Sequence, residues 1–201
     1  FDQLKKVSKI KNILDIGSNI GKFLEWASCN YKVTGHEYHD NLRKIAISRG
    51  YNIESKELSK IKFKEKFDLI TCWDYIDHIL NPKETFKNLS KQVKKGGLLF
   101  FAINNRDSLS VKILHKDSPI FIGPHHSIHY GARHVKFLLE PYGWKLVSAD
   151  SYVSELNWIS NWLNFKNPEF GDSSLQTDLF NPEAICNKGL GFKVNLIFIK
   201  K

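Results

Sequence analysis

A turn near the start of the chain contains the residue types that bind a nucleotide-like cofactor. An apolar run at residues 13–16, with Asp15 inside it, predicts a short buried strand, and a helical pattern begins at Lys22. Gly17 and Gly21 bracket the turn between them. Glycines allow positive φ and lack a Cβ, so a ligand can approach the backbone, while a helix start offers free N–H groups to an anionic group. The chemistry expected here is therefore cofactor binding.

A second feature is an acid, Glu37, that lies 20 residues after the first glycine of this turn. The pattern of residues 32–37 predicts a strand that ends in this acid. A carboxylate there can accept hydrogen bonds from both hydroxyls of a ribose, as in dinucleotide folds. A dinucleotide itself is not favoured, because Asn19 and Lys22 stand where Gly-x-Gly-x-x-Gly requires its second and third glycines.

The elements that must position these residues alternate between strand and helix patterns. Further strands are predicted at residues 51–55, 67–74, 98–102, 145–150 and 192–199, and helices at 41–49, 82–93 and from His134. Asp40 is expected to cap the helix at 41–49. About thirty residues between Ala102 and His134 lack periodicity, which is typical of a lid or binding loop.

Three motifs in this order resemble those of class I S-adenosylmethionine-dependent methyltransferases. Residues 15–21 resemble the first motif, an acid followed by spaced glycines, with an asparagine in place of the middle glycine. Residues 67–82 are similar to the Phe-Asp to Glu-His pattern of the small-molecule, ubiquinone-biosynthesis-like group, with Asp77 where Glu is usual and His78 in place. Residues 94–97 are similar to the Lys-Pro-Gly-Gly turn of that group. Residues 123–130 are similar to its His-rich segment, and residues 138–144 to the Leu-Leu-x-x-x-Gly-aromatic pattern that follows it.

The resemblance implies an α/β fold. It implies a Rossmann-like, seven-stranded, mostly parallel sheet with helices on both faces, whose last strand lies antiparallel beside the fifth. We expect a single methyltransferase domain over 1–201, with 12–102 as the cofactor-binding half and 103–133 as the substrate lid. Residues 151–191 form an unassigned insertion before the last strand. Its aromatic residues predict core packing, with an apolar substrate pocket or a homodimer seam as alternatives; they are Trp158, Trp162 and Phe165.

The same resemblance implies S-adenosyl-L-methionine as the cofactor. The glycine loop and Glu37 would hold it, and Asp15 and Asp74 would orient its methionine part through the ammonium group. The full set of predicted cofactor-binding residues is Asp15, Gly17, Ser18, Asn19, Gly21, Glu37, Glu57, Leu58, Trp73 and Asp74.

Methyl transfer to a hydroxyl requires alignment of the reacting atoms and removal of a proton. Imidazole is the side chain suited to that proton transfer near neutral pH, so His78 is the first candidate base and His126 and His129 the second. A three-histidine metal site is conceivable, but no metal is predicted because no carboxylate partner is evident. We expect O-methylation of a small molecule or a sugar or lipid precursor.

Composition and charge bear on the alternative functions and partners of the protein. The formal net charge is +9, but the lysines are scattered along the chain, so a nucleic-acid partner is not expected. An RNA or protein methyltransferase and a non-catalytic cofactor-binding protein remain as alternatives. No membrane span and no signal peptide are predicted, which favours a cytoplasmic protein. The sequence contains no methionine, even at its first position, so we expect a fragment or a processed chain.

Overall fold

The strand patterns of the sequence pair with one another in a computed structural model that describes residues 4, 8–121, 128–152 and 181–201. One seven-stranded sheet is formed within these ranges. Its strands are β1 (Asn12–Ile16), β2 (Lys32–His36), β3 (Ile53–Glu54), β4 (Phe67–Trp73), β5 (Val93–Asn104), β6 (Trp144–Tyr152) and β7 (Lys193–Lys200). The helices are α1 (Lys22–Ser28), α2 (Asp40–Ser48), α3 (Pro82–Gln92), α4 (Leu109–Leu114), α5 (Ala132–Leu139) and α6 (Pro182–Asn187). Single 3₁₀ turns lie at Ile76–His78, His115–Asp117, Pro119–Phe121 and Glu140–Tyr142.

The strand order is β3-β2-β1-β4-β5-β7-β6. β1 pairs in parallel with β2 and with β4, and β4 pairs in parallel with β5. β7 inserts antiparallel between β5 and β6. The predicted Rossmann-like α/β fold with an antiparallel last strand is therefore confirmed. Because β1, β2, β4 and β5 are parallel, they all end at one edge of the sheet, and the loops that follow them meet there.

Apolar clusters lie on both faces of the sheet, because successive side chains of a strand point to opposite faces. On one face, Leu14 and Ile70 lie in a cluster with Phe86 of α3 and Leu139 of α5. The other face packs Ile13, Leu69 and Leu98 against Ala27 of α1. Every residue of β1 is buried, as expected of a strand covered on both sides.

Several element boundaries differ from the predictions. The third strand has only two residues, Ile53–Glu54. The prediction that Asp40 caps α2 is wrong, because His39 is the N-cap, and the Asp40 carboxylate instead pairs with Arg43 within the helix. β5 begins directly after α3, and the pairing jumps from Phe67 with Val93 to Leu69 with Leu98, so residues 94–97 form a bulge at the start of the strand.

Part of the predicted lid and most of the predicted insertion lie outside the described residues. Of the predicted lid, the structure describes residues up to Phe121 and again from Ile128. Of the predicted insertion, it describes residues up to Tyr152 and again from Asn181. Trp158, Trp162 and Phe165 are therefore not placed. Among the helices that are placed, none is long and apolar enough to cross a membrane.

Candidate active site

The loop after β1 is held against the end of β2 by backbone hydrogen bonds. The N–H groups of Gly17 and Ser18 both donate to the His36 carbonyl at 2.9 Å, and Gly21 N–H donates back to the Ser18 carbonyl at 2.9 Å. Gly17 and Gly21 have φ of 72° and 85°, in the region that favours glycine. The loop therefore has one defined conformation before any ligand is considered.

Asn19, at the position of the middle glycine of the motif, has a positive φ. Its φ is 50°, and its side-chain Oδ1 accepts the N–H of Ile20 at 2.7 Å. Asparagine is among the few residues that tolerate this region, since its short side chain can bond locally to the backbone. The departure from the glycine pattern is thus accommodated by the loop.

Glu37 stands directly after β2 and joins that strand's tip to the loop. Its Oε2 accepts the N–H of Asn19 at 2.9 Å, and its Oε1 accepts the N–H of His39 at 2.8 Å. The side chain is largely buried, with the residue only 6% exposed. Each carboxylate oxygen can accept more than one hydrogen bond, so both keep capacity for a ligand hydroxyl.

Asp15 lies at the base of the loop, beneath the surface. It is 1% exposed, and its Oδ1 accepts a hydrogen bond from Thr71 Oγ1 at 2.7 Å. Burial raises the pKa of this carboxyl to about 7, although the Thr71 hydrogen bond opposes that rise. The geometry gives Asp15 a supporting position behind the loop, and it does not bring the carboxylate to a pocket surface.

A pocket of about 370 Å³ opens at the carboxyl edge of the sheet beside Glu37, whose two chain neighbours, His36 and Tyr38, are among its lining residues. Apolar and aromatic side chains make up much of its lining, together with histidine, glutamate and asparagine, a mixture typical of small-molecule sites. The lining residues include His36, Tyr38, Glu57, Leu58, Tyr75, His78 and Ile79. The predicted Glu57 and Leu58 are thus brought into one pocket with the predicted His78.

Tyr75 is a pocket residue that the sequence analysis did not identify. Its ring lies on the glycine loop so closely that a Cβ at Gly17 would come within 2.5 Å of Tyr75 Cδ2. Burial raises the pKa of its hydroxyl to about 12. Tyr38, also missed, directly follows Glu37 and is exposed at the pocket. Their positions next to predicted acids were the signal that could have identified both tyrosines.

His36 and Glu57 line the same pocket but differ in burial and in hydrogen-bond partners. His36 is buried, its Nε2 lies 2.9 Å from the Lys56 carbonyl oxygen, and burial lowers its pKa. Glu57 is at the surface, where its carboxylate pairs with Lys60 at 2.6 Å and accepts the Ser59 hydroxyl. Those two partners lower the pKa of Glu57, the Lys60 hydrogen bond being the larger cause.

Trp73 and Asp74 lie away from this pocket. The Trp73 ring packs on Phe100 and Phe23, at centroid distances of 4.6 and 5.5 Å, on the face of the sheet that carries α1. Asp74 has φ of 47°, and its carboxylate is bonded to Lys193 at the start of β7. Asp74 could thus hold the ammonium group of the cofactor only if that group replaced the ammonium of Lys193.

The two predicted catalytic histidines that the structure describes lie on adjoining segments, because the N–H of Ile128, next to His129, donates to the carbonyl of Asp77, next to His78, at 3.2 Å. His78 is exposed at the mouth of the pocket, with its ring centroid 6.1 Å from that of Tyr75. His129 is half-buried, and its ring meets the ring of Phe121 at 4.9 Å. His126 lies outside the described residues. No group of three or more potential metal ligands occurs among the residues that are described.

The residues present fit an adenosyl cofactor on two structural grounds. A buried carboxylate, Glu37, closes the tip of β2 with acceptor capacity for ribose hydroxyls, and the adjacent pocket offers Leu58, Ile79 and Tyr75 to a flat apolar ring system. The loop between them is shaped by positive φ at Gly17, Asn19 and Gly21.

Comparison with known proteins agrees with this geometry. Residues 3–149 match the family model described as a methyltransferase domain. The ubiquinone biosynthesis O-methyltransferase of Coxiella burnetii is 31% identical over 108 residues, which cover 49% of this chain and 46% of the relative. Its counterpart in Shewanella halifaxensis is 29% identical over 106 residues, 48% of this chain and 45% of the relative. The chain thus spans about half the length of these relatives.

Solved structures share the whole fold at low identity. An S-adenosylmethionine-dependent methyltransferase from Archaeoglobus fulgidus superposes with a TM-score of 0.67 at 17% identity, covering 100% of this chain and 92% of that chain. Magnesium protoporphyrin IX methyltransferase from Synechocystis, solved with bound SAH, gives a TM-score of 0.61 at 11% identity, covering 98% of this chain and 77% of that chain.

Proposed function

Because the chain belongs to the class I S-adenosylmethionine-dependent methyltransferases, we propose that it transfers the methyl group to a hydroxyl oxygen of a small molecule. Its relatives named as ubiquinone biosynthesis O-methyltransferases support an oxygen acceptor. The observation that carries the proposal is the half-buried imidazole of His129, which contacts the Phe121 ring and follows Ile128, a residue hydrogen-bonded to Asp77 in the loop after β4.

Glu37 and the glycine loop are proposed to hold the cofactor. The Glu37 carboxylate would accept the ribose hydroxyls while it continues to accept the N–H groups of Asn19 and His39. Leu58, Ile79 and Tyr75 would pack against the adenine. Asp15 supports the loop from beneath, and Asp74 remains a proposed ligand of the methionine ammonium, in place of Lys193.

When bound, S-adenosylmethionine supplies a methyl group already activated on a sulfonium. The protein's task is therefore to align the acceptor oxygen and to receive its proton, and alignment alone can supply roughly 7–11 kcal/mol in favourable cases. His78 shares its pocket with Glu57 and Leu58, two of the predicted cofactor-binding residues. We therefore assign proton removal first to His129, whose ring faces Phe121. The imidazole would accept the proton of the acceptor hydroxyl as the oxygen bonds to the methyl carbon, and the carbon–sulfur bond would break to leave S-adenosylhomocysteine.

The experiment is methyl transfer by the purified chain from S-adenosylmethionine to a panel of phenols, catechols and aliphatic alcohols. The readout is S-adenosylhomocysteine together with the mass and position of the added methyl group. An O-methylated small molecule is the expected product. Transfer only to nitrogen, to RNA or to protein would replace the proposal, and cofactor binding without transfer to any panel member would favour the non-catalytic alternative. A cytoplasmic location and a homodimer are retained as further proposals.

A further inference from the structure

A cleft of about 500 Å³ lies beside the loop that follows β5. Its lining is dominated by basic side chains, with Phe121 as an aromatic wall and Asp107 as its acid. We call it the basic cleft and define it by Arg106, Asp107, Lys112, Lys116, Phe121 and Arg133. It is separate from the pocket beside Glu37, with which it shares no lining residue.

The charges of the basic cleft are only partly compensated. Asp107 pairs with Arg133 at 3.2 Å. Arg106, Lys112 and Lys116 are exposed and form no ion pair with any residue in the described ranges. Three positive charges around one concave surface attract an anion, because their potentials add.

The basic cleft adjoins the segment that carries the proposed base, His129. The backbone N–H of Arg106 donates to the Tyr130 carbonyl at 2.8 Å, and the ring of Phe121 contacts His129. The Tyr130 hydroxyl is buried and has no hydrogen-bond partner in the described part of the chain. Phe121 thus lines the basic cleft and also contacts the proposed base.

We propose that the basic cleft binds an anionic group, carboxylate or phosphate, carried by the methyl acceptor. The proposal rests on the proposed function, since it names the substrate class of the same site. Arg106 offers a planar pair of donors to such a group, and Lys112 and Lys116 offer point charges. The aromatic or apolar body of the acceptor would lie on Phe121, with its hydroxyl directed to His129.

Anion binding can be tested without activity, by calorimetric titration at low ionic strength. The probes are inorganic pyrophosphate for a phosphate group and 3,4-dihydroxybenzoate for a carboxylate, each compared with uncharged catechol. We expect the protein to bind at least one anionic probe more tightly than catechol. The triple variant Arg106→Gln, Lys112→Gln, Lys116→Gln should weaken that binding about tenfold or more, since hydrogen bonds to charged groups are lost.

Lys91→Gln is the matched control. Lys91 is an exposed lysine near the end of α3, the end that leads into the start of β5, and it should leave binding unchanged. Equal binding by the wild-type protein and the triple variant, or no binding of either anion, would overturn the proposal. Much tighter, salt-sensitive binding of a single-stranded RNA, lost in the triple variant, would also overturn it and indicate a nucleic-acid surface.

The two proposals fail in different ways. Methyl transfer to uncharged phenols, with no binding of the anionic probes, would remove the anionic substrate class and leave the O-methyltransferase. Anion binding that depends on the three cations, with no transfer to oxygen of any acceptor, would leave the basic cleft and remove the proposed reaction.

Discussion

Glu37 Oε2 accepts the backbone N–H of Asn19 at 2.9 Å, so the acid at the tip of β2 and the loop after β1 form one unit. The contact links a residue predicted to bind ribose to the loop predicted to contact the cofactor. Removal of the Glu37 carboxylate, or a substitution that displaces the backbone at residue 19, should therefore affect both the loop conformation and cofactor affinity.

Asn19 provides the first prediction. Asn19→Gly should preserve the loop, because glycine adopts a φ of 50° without strain. Asn19→Val should destabilise the protein by about 1–2 kcal/mol, since a β-branched residue is disfavoured there, and should weaken cofactor binding. Urea unfolding and calorimetry with S-adenosylhomocysteine measure the two effects. Equal behaviour of the glycine and valine variants would contradict the assigned conformation.

The second prediction concerns the contact between Gly17 and Tyr75. A Cβ at residue 17 would lie 2.5 Å from Tyr75 Cδ2 at a φ of 72°, so Gly17→Ala should cost roughly 1–3 kcal/mol of unfolding free energy. In a double-mutant cycle with Tyr75→Ala, the steric cost that comes from the ring should disappear, while the backbone part and the 3.1 Å contact with the Cβ of residue 75 should remain. Strict additivity of the two changes would show that the ring does not lie on the loop.

The third prediction is a pH dependence that arises from Asp15. Its pKa is raised from 3.8 to about 7, so between those pH values the folded state holds a proton that the unfolded state has released. This group therefore makes stability fall as pH rises from 4 to 7, by at most roughly 4 kcal/mol. Asp15→Asn, which keeps an acceptor for Thr71, should remove that slope. Urea unfolding at pH 5 and pH 8 measures it, and an unchanged slope would refute the assignment.

The two placed histidines provide the fourth. His129→Asn should lower kcat by about 100-fold with little change in cofactor affinity, as expected for a lost proton acceptor. His78→Asn should instead raise the KM for S-adenosylmethionine, because His78 shares the pocket with Leu58. Steady-state kinetics with both variants, and a pH profile for each, decide which of the two histidines is the base. The reverse pattern would return the role of base to His78.

Much of the fold could be predicted because its signals are local. Continuous apolar runs such as β1 and β4, separated by glycine turns, indicate parallel strands buried on both faces. The position of Trp73 was also within reach of the sequence, since a period of two sends it to the face opposite Cys72. That alternation explains why Trp73 meets Phe23 and Phe100 and does not line the pocket.

Other features of the site depend on tertiary contacts that no local pattern encodes. Asp74 meets Lys193, which is 119 residues away in sequence, only because β7 runs antiparallel and starts at the ligand edge. Asp15 appeared as a ligand-facing acid, but pairing of β1 with β4 places it opposite Thr71 and buries it. Tyr75 contacts Gly17 only because β4 lies next to β1.

The most direct test of the account is the affinity of the protein for S-adenosylhomocysteine, measured by calorimetry before and after Glu37→Ala. Glu37→Gln and the thermal unfolding of each variant serve as controls for the loss of the contacts to Asn19 and His39. We predict that the wild-type protein binds the compound and that Glu37→Ala weakens binding about tenfold, ~1.4 kcal/mol for lost ribose hydrogen bonds. Unchanged affinity in a folded Glu37→Ala variant would contradict the proposed site.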